Sequence, residues 1–436
     1  MDFPGKGDEM IKSHPRGIYI LFFTEMWERF SYYGMRAILI LYLVKYFNYS
    51  DEFAGSVYGA YTGLVYLTPI LGGYIADRFI GFKNAIFLGG ILMMCGHISL
   101  AISSIEFFYL GLLLLILGNG FFKPNISTYL GTLYKDKPEL KDSGFTIFYM
   151  GINLGGMFGP LLCGYLGEVH GWHYGFGLAG VGMLAGLIVF KLGLPTLAAE
   201  EVKVSLVSEE ENTGNSELLT PVEKIRILVI LILSIFTMFF WFAFEQAGSS
   251  MNLFADRYMD RNLFGKEIPA SLFQSVNAFL ILVFAPLFAR LWTELGEKKK
   301  EPNTPLKFSL AFVLLGIGFL FLVFGSRGLE HSSVVKTSMI WLILAILFHT
   351  LGELCISPVG LSMVSKLSPP RFGGLLMGVW FLSNAISHYV AGFFSGKMGQ
   401  FANLSEFFLI FVYTSFTSAI ILFLLNKKLN TMMHNH

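Results

Sequence analysis

The run Glu25-Met26-Trp27-Glu28-Arg29-Phe30-Ser31-Tyr32-Tyr33-Gly34-Met35-Arg36 places four ionisable side chains in the middle of an apolar stretch. Ile18 to Phe23 precede it and Ala37 to Val44 follow it, so the segment reads as a helix that crosses lipid. An ionised side chain near the bilayer centre costs roughly 2.5–3.5 kcal/mol on insertion scales, whereas a Leu, Ile or Phe returns only about 0.3–0.6 kcal/mol. Such a penalty is tolerated when the charges face a water-filled cavity or one another. Positions 25, 28, 29, 32, 33 and 36 are separated by three, four, seven and eight residues, which puts them on one helical stripe. A buried structural ion pair would account for Glu25 with Arg29 alone. A substrate or ion pathway accounts for Glu28, Arg36 and both tyrosines as well.

The composition points the same way. Hydrophobic residues make up 54% of the 436, aromatics 16% and charged residues only 14%, far from a soluble domain of this length. A net charge of +1 with no basic domain argues against a nucleic-acid partner. Cys95, Cys163 and Cys355 lie in apolar segments without the paired spacing of a metal site or the pattern of a disulfide framework. Nothing at the N-terminus reads as a cleavable signal, so the charged first segment is expected to stay in the mature chain.

Twelve apolar segments are long enough to span a bilayer, beginning with 18–44, 54–76 and 84–103 and ending with 373–396 and 404–426. The polar stretch 195–221, rich in glutamate, divides them into six and six: an N-terminal bundle over 1–194, a linker with room for a short amphipathic piece, and a C-terminal bundle over 222–436. On one side the loops carry Lys45, Arg257, Arg261, Lys266, Arg327, Lys336 and Lys397, while the other side has about three times as many basic residues. That bias predicts cytoplasmic N- and C-termini.

The halves echo each other. Gly118 precedes Pro124 by six positions in segment four, and Gly352 precedes Pro358 by six in segment ten. Two related six-helix halves are the pattern of a transporter with its site at their interface. Polar residues within the other segments fit that site: Lys123, Asn153, Glu245, Asn277 and Glu353, with His349 one turn before Glu353. Cations in the first half (Arg29, Arg36, Lys123) oppose anions in the second (Glu245, Glu353), an arrangement suited to a zwitterion. Snorkelling would be the bland explanation for Lys123, and helix–helix hydrogen bonding for the two asparagines. His97, His349 and His388 read as packing or hydrogen-bonding residues, with His349 the one to watch.

The run Glu25 to Gly34 resembles the ExxERFxYYG signature of the proton-dependent oligopeptide transporters of the major facilitator superfamily. Further stretches are similar to that family's motifs: Tyr66 to Gly73 with Ala76-Asp77-Arg78, Phe148-Tyr149 with Ile152-Asn153, Glu245 to Ser250, Gln274 to Asn277, Gly352 to Leu361, and Trp380 to Ser383. The resemblance covers essentially the whole chain. It implies an all-α integral membrane protein of the major facilitator fold, with 12 transmembrane helices in two six-helix bundles. It also implies proton-driven import of di- and tripeptides without a cofactor, by a monomer of the cell (inner) membrane.

Residue by residue, it implies that Arg29, Tyr33 and Lys123 hold the peptide carboxylate and that Asn153, Asn277 and Glu353 hold its amino end. Tyr32, Tyr66 and Trp241 would line the cavity, with Trp380 and Ser383 also at peptide-binding positions. Glu25, Glu28, Arg29 and Glu245 would serve proton coupling, and Arg36 with Glu245, together with Lys123 and Glu353, would gate. The histidine that animal members carry in segment two has no counterpart here, since none falls between His14 and His97. Proton handling is therefore expected to rest on carboxylates. A carrier of another small anion or metabolite, such as nitrate, is the alternative within the superfamily. An integral membrane enzyme would need a nucleophile, metal or cofactor motif, and the sequence contains no HExxH, Cys/His cluster or phosphate loop.

Overall fold

Long helices form from the apolar segments because a bilayer offers backbone groups no hydrogen-bond partners, and a helix satisfies them internally. The computed structural model describes residues 14–205, 219–329, 335–369 and 372–434. The helices are α1 (Gly17–Lys45), α2 (Asp51–Ile75), α3 (Gly81–Leu100), α4 (Ile105–Thr132), α5 (Lys141–Tyr165), α6 (Trp172–Ser205), α7 (Pro221–Phe244), α8 (Ser250–Tyr258), α9 (Gln274–Glu297), α10 (Thr304–Gly325), α11 (Ile340–Leu367), α12 (Gly373–Ser395) and α13 (Leu404–His434). Hydropathy alone identifies nine spans among the described residues, one of which, Asp51–Leu100, contains two helices that reverse at Gly81. Charge keeps α1 below that threshold, and Asn384 and His388 lower the hydropathy of α12. With α8 as a short extension of α7, the twelve expected crossings are all present.

Two boundaries differ from those read in the sequence. Helix α6 runs on through Pro195 to Ser205, so the polar stretch begins as helix. Proline removes one backbone donor from a helix, and the good helix formers Leu197, Ala198 and Ala199 carry the turn beyond it. Residues 206–218 of the linker in which a short amphipathic piece is expected lie outside those described. Beyond α7, the chain tightens into a 3-10 turn over Glu245–Gly248 and resumes as α8. Two strand pairs follow: Met259–Asp260 with Thr337–Ser338, and Asn262–Leu263 with Lys266–Glu267.

In the first half, α1 packs against α5 and α6, and α3 and α2 pack against α4; in the second, α7 packs against α12 and α13, and α10 against α11 and α13. Small residues allow the close approaches that drive helix association in lipid. A methyl on Gly155 of α5 would lie 2.2 Å from the Met26 carbonyl, and one on Gly159 would lie 2.4 Å from that of Phe30. Between the halves, α2 meets α12 and α5 meets α9. The α2–α12 contact is equally tight, with a Gly59 methyl 2.6 Å from the Tyr389 carbonyl and a Gly392 methyl 2.3 Å from Gly59 Cα. These glycines lie at the end of the bundle away from the chain termini.

Gly392→Val should therefore force the halves apart at that end. A cysteine introduced at Met251, which is buried but borders the central cavity, is expected to react with a bulky thiol reagent from that end in Gly392→Val and not in its Gly392 parent. Equal protection in both would show that the glycine contact does not seal the bundle.

Candidate functional site

A cavity of about 370 Å³ lies between the halves. The first half contributes Glu25, Arg29 and Tyr33 of α1, Tyr66 of α2, Lys123 and Ser127 of α4, and Tyr149 and Asn153 of α5. The second contributes Trp241 and Glu245 near the end of α7, Gln274 and Asn277 of α9, His349 and Glu353 of α11, and Trp380 and Asn384 of α12. Helical spacing places them: Lys123 and Ser127 are one turn apart, as are Tyr149 with Asn153 and His349 with Glu353. Ser127, Ser357, Leu361 and Phe381 carry the lining toward the termini end.

Arg29 is neutralised within its own helix. Its Nε lies 2.7 Å from Glu25 Oε1 and 2.6 Å from Glu28 Oε2. Glu28 is fully buried behind Arg29, outside the lining, where Asn119 Nδ2 donates to its Oε1 at 3.4 Å. Lys123 differs, because no carboxylate among the described residues lies within ion-pair distance. Its Nζ sits 3.9 Å from the centroid of the Tyr66 ring, a cation–π contact that stabilises a positive charge without neutralising it. Across the cavity, Glu353 likewise has no cationic partner among the described residues. Asn277 Nδ2 donates to Glu353 Oε2 at 3.0 Å and to Thr350 Oγ1 at 2.9 Å, which fixes the carboxylate. The cavity thus presents one cation and one anion on opposite walls, each without a counter-ion among the described residues.

Arg36 and Glu245 meet at the closed side of the cavity. Arg36 Nη2 donates to Glu245 Oε2, and its Nε donates to Tyr58 OH at 2.8 Å. His388 Nε2 lies 3.1 Å from the other carboxylate oxygen. From this level to the end away from the termini, the halves are joined repeatedly. Lys45 pairs with Asp256 at 2.5 Å, Arg257 holds Asp51 through both guanidinium Nη atoms at 2.6 and 2.7 Å, and Lys397 pairs with Glu52. Asn252 Nδ2 donates to the Ala37 carbonyl at 2.8 Å. Every hydrogen bond and ion pair joining the halves between described residues lies at or beyond Arg36. The bundle is sealed at that end.

Of the residues expected at the site, Arg29, Tyr33, Tyr66, Lys123, Asn153, Trp241, Asn277, Glu353 and Trp380 share the lining, as do Glu25, Arg36 and Glu245. Tyr32 and Ser383 stand outside it. Tyr32 turns inward, edge-on to Tyr33 and beneath Arg29, and is buried to 2% exposure. Ser383 Oγ donates to its own helix at the Trp380 carbonyl, 2.7 Å away, and does not reach the cavity. His349 packs against Phe319, with ring centroids 4.5 Å apart. Among the described residues no three His, Cys, Asp or Glu side chains converge as a metal site would require.

Sequence reasoning missed Glu168. This first-half carboxylate accepts hydrogen bonds from Ser271 N at 2.8 Å, Ser271 Oγ at 2.5 Å and Ala270 N at 3.2 Å, capping the 3-10 turn Ala270–Phe273 that leads into α9. An acidic group at a helix start satisfies otherwise orphaned donors and complements the helix dipole. A single Glu in a polar turn carries no sequence signal for that role, because the donors it satisfies are about a hundred residues away.

A twelve-helix bundle with a charged central cavity sealed at one end defines a multi-pass membrane transporter of the major facilitator fold. Comparison with known proteins narrows the class: the POT family model matches residues 83–210 and 197–410. The chain is 40% identical to an uncharacterized transporter, YclF, of Bacillus subtilis (strain 168), over 87% of this chain and 88% of that one. It is 34% identical to peptide transporter YePEPT of Yersinia enterocolitica, over 98% and 97%. Among solved structures it is similar to a mutant peptide transporter POT in complex with alafosfalin, with a TM-score of 0.85, 32% identity and 97% of each chain covered. A POT family transporter in complex with 5-aminolevulinic acid gives a TM-score of 0.85 at 30% identity, with 98% of each covered. The chain belongs to the POT family.

Charge-assisted hydrogen bonds of the kind Glu168 makes are worth about 1.5–3 kcal/mol each when their partners are left buried. Glu168→Ala should lower the melting temperature of the purified protein, with Glu168→Gln, which keeps one acceptor oxygen, falling between it and the parent. Identical melting temperatures in all three would remove Glu168 from the seal.

Proposed function

We propose that this protein is a proton-coupled symporter that imports di- and tripeptides by alternating access. The observation that carries this reading is the pair of unneutralised charges, Lys123 and Glu353, on opposite walls of a cavity of about 370 Å³. A short peptide is a zwitterion, and each of its ends finds the opposite charge there. Lys123 with Arg29 and Tyr33 receives the carboxylate, while Glu353 with Asn277 and Asn153 receives the ammonium group. Trp241, Tyr66 and Trp380 supply apolar walls that accept varied side chains. Relatives named peptide transporter and di-/tripeptide transporter support the same substrate class. A lone anion such as nitrate would leave Glu353 without a partner and repel it, so the anion-carrier alternative fits the walls less well.

The reading places the protein as a monomer in the cell (inner) membrane with both termini cytoplasmic. The sealed end then faces outward, and the cavity opens to the cytoplasm. Arg36 with Glu245 is the outer gate. Lys123 and Glu353, on opposite halves, are brought together when the inner side closes around substrate. Glu25, Glu28 and Arg29 serve coupling, because a proton on Glu28 would loosen its hold on Arg29 and free the guanidinium for the peptide.

Both blocked ends test the substrate. N-acetylation or C-amidation of dialanine should weaken competition with labelled dialanine by at least about tenfold, equivalent to about 1.4 kcal/mol. Lys123→Ala should lose most of its discrimination against the amide, and Glu353→Ala most of its discrimination against the acetylated peptide. Equal inhibition by free, acetylated and amidated dialanine would refute the two-ended site. Separately, Glu28→Gln is expected to abolish gradient-driven accumulation while leaving peptide counterflow measurable; full accumulation in that variant would remove Glu28 from coupling.

A further inference from the structure

We infer that Asn119 of α4 is a positioning residue for proton coupling: its side-chain amide holds Glu28 in both protonation states by exchanging the end that faces the carboxyl group. Glu28 is fully buried, and its two oxygens have different neighbours. Oε2 lies 2.6 Å from Arg29 Nε, and Oε1 accepts from Asn119 Nδ2 at 3.4 Å. Turning the amide over would bring Oδ1 against a carboxylate oxygen, two acceptors with no hydrogen between them, so the ionised group selects the orientation seen. The other end of the amide, Oδ1, is buried and has no hydrogen-bond partner among the described residues, with Asn119 at 1% exposure. A buried acceptor without a donor is costly, and this one gains a donor when Glu28 is protonated. The guanidinium keeps a proton off Oε2, so the proton settles on Oε1, the oxygen that faces Asn119. Nδ2–H and O–H are then two donors in opposition. Half a turn about the Cβ–Cγ bond replaces Nδ2 by Oδ1, which accepts from the acid. The proton comes from the medium and forms the Oε1–H bond, and no bond of the amide breaks.

The fold fixes this amide in place and connects it to the cavity. Gly118 and Gly120 flank Asn119 and let α4 press onto its neighbours. A methyl on Gly118 would lie 2.7 Å from the Gly89 carbonyl of α3, and one on Gly120 would lie 2.8 Å from Thr68 Cβ of α2. The charged and titratable groups facing Glu28 are Glu25 and Arg29 of its own helix, Lys123 of α4 and Tyr61 of α2. Neither Glu28 nor Asn119 lines the cavity. Asn119 is nevertheless one turn before Lys123 on α4, and Glu28 immediately precedes Arg29 on α1. A change of charge at Glu28 therefore reaches both helices that carry cations into the cavity, directly at Arg29 and through the amide at α4. The second half has an amide–carboxylate contact at the matching place. Asn119 and Glu353 each lie five residues before a proline within their helix, Pro124 and Pro358, and Glu353 accepts from Asn277 Nδ2 at 3.0 Å. Amide and acid have changed places between the halves. A neutral amide suits a partner whose charge must change, because it donates to the anion and accepts from the acid.

This inference rests on the proton-coupled reading above, and the test separates the two. Infrared difference spectra of the purified protein are titrated from pH 8 to 5, and the carboxylic-acid band that Glu28→Gln removes is followed in the parent and in Asn119→Leu. Leucine keeps the volume and neither donates nor accepts. A hydrogen bond to the anion is stronger than one to the acid, so losing both should move the midpoint of that band to higher pH by about half a unit or more. The band itself should move to higher frequency, as for an acid free of a hydrogen bond. In proteoliposomes the variant should lose at least about tenfold in gradient-driven accumulation of dialanine. Adding Asn119→Leu to Glu28→Gln should leave the counterflow pH profile of Glu28→Gln where it was. A parental midpoint and band frequency in Asn119→Leu would overturn the assignment, as would the lack of any band that Glu28→Gln removes. So would a profile that Asn119→Leu shifts even without Glu28, since the residue would then act elsewhere. A parent that moves no dialanine but shows the expected titration would instead overturn the peptide-transport reading and leave this one standing. Should Asn119→Leu fail to fold, Asn119→Ala, which removes the amide without adding bulk, is read in the same way.

Discussion

The ion pair between Arg36 and Glu245 is the constraint on which the rest of the arrangement depends. Both side chains are buried, and each belongs to a different half. Removing such charges from water is expensive, and removing one partner of a buried pair typically costs about 3–5 kcal/mol, because the other is left without compensation. A contact of that kind is a weak device for static stability and a strong one for switching. Neutralise either member and the energy that held the halves at that point is gone.

The packing around the pair explains why a local change in charge has a long reach. Beyond it toward the sealed end, the halves touch through glycines of α2 and α12 at separations that admit no side chain, through the Glu168 cap on the start of α9, and through the Lys45, Arg257 and Lys397 ion pairs. The exposed pairs among these are each worth little. The tight backbone contacts and the buried charges act together, since glycine surfaces that meet this closely either fit or separate. On the other side of Arg36 no hydrogen bond or ion pair between described residues joins the halves, so the bundle is already poised asymmetrically.

Much of this was legible in the sequence. The charged stripe on α1 had to face something other than lipid, and the cavity lining includes Glu25, Arg29, Tyr33 and Arg36 from that stripe. The same energetic argument found Lys123, Asn153, Asn277 and Glu353. Tyr32 lies outside the lining, because a stripe defined by spacing is wider than the cavity it borders, and so does Ser383, expected from the family resemblance alone, whose hydroxyl is satisfied by its own helix. The apolar run of the sixth segment stops at residue 194 while α6 continues to Ser205, since Pro195 interrupts a helix without ending it when good helix formers follow. Glu168 was out of reach for a different reason. Its role depends on a partner 103 residues away, and neither residue type nor spacing records what a side chain will meet in the folded bundle.

The central claim is that proton entry and peptide movement are linked through these charges. Its most direct test is uptake of labelled dialanine into proteoliposomes, with and without an inwardly directed proton gradient, and with labelled nitrate run in parallel. The account predicts that dialanine accumulates above its external concentration only when the gradient is present and that nitrate does not accumulate. Dialanine accumulation indifferent to the gradient, or gradient-driven accumulation of nitrate without dialanine, would contradict it.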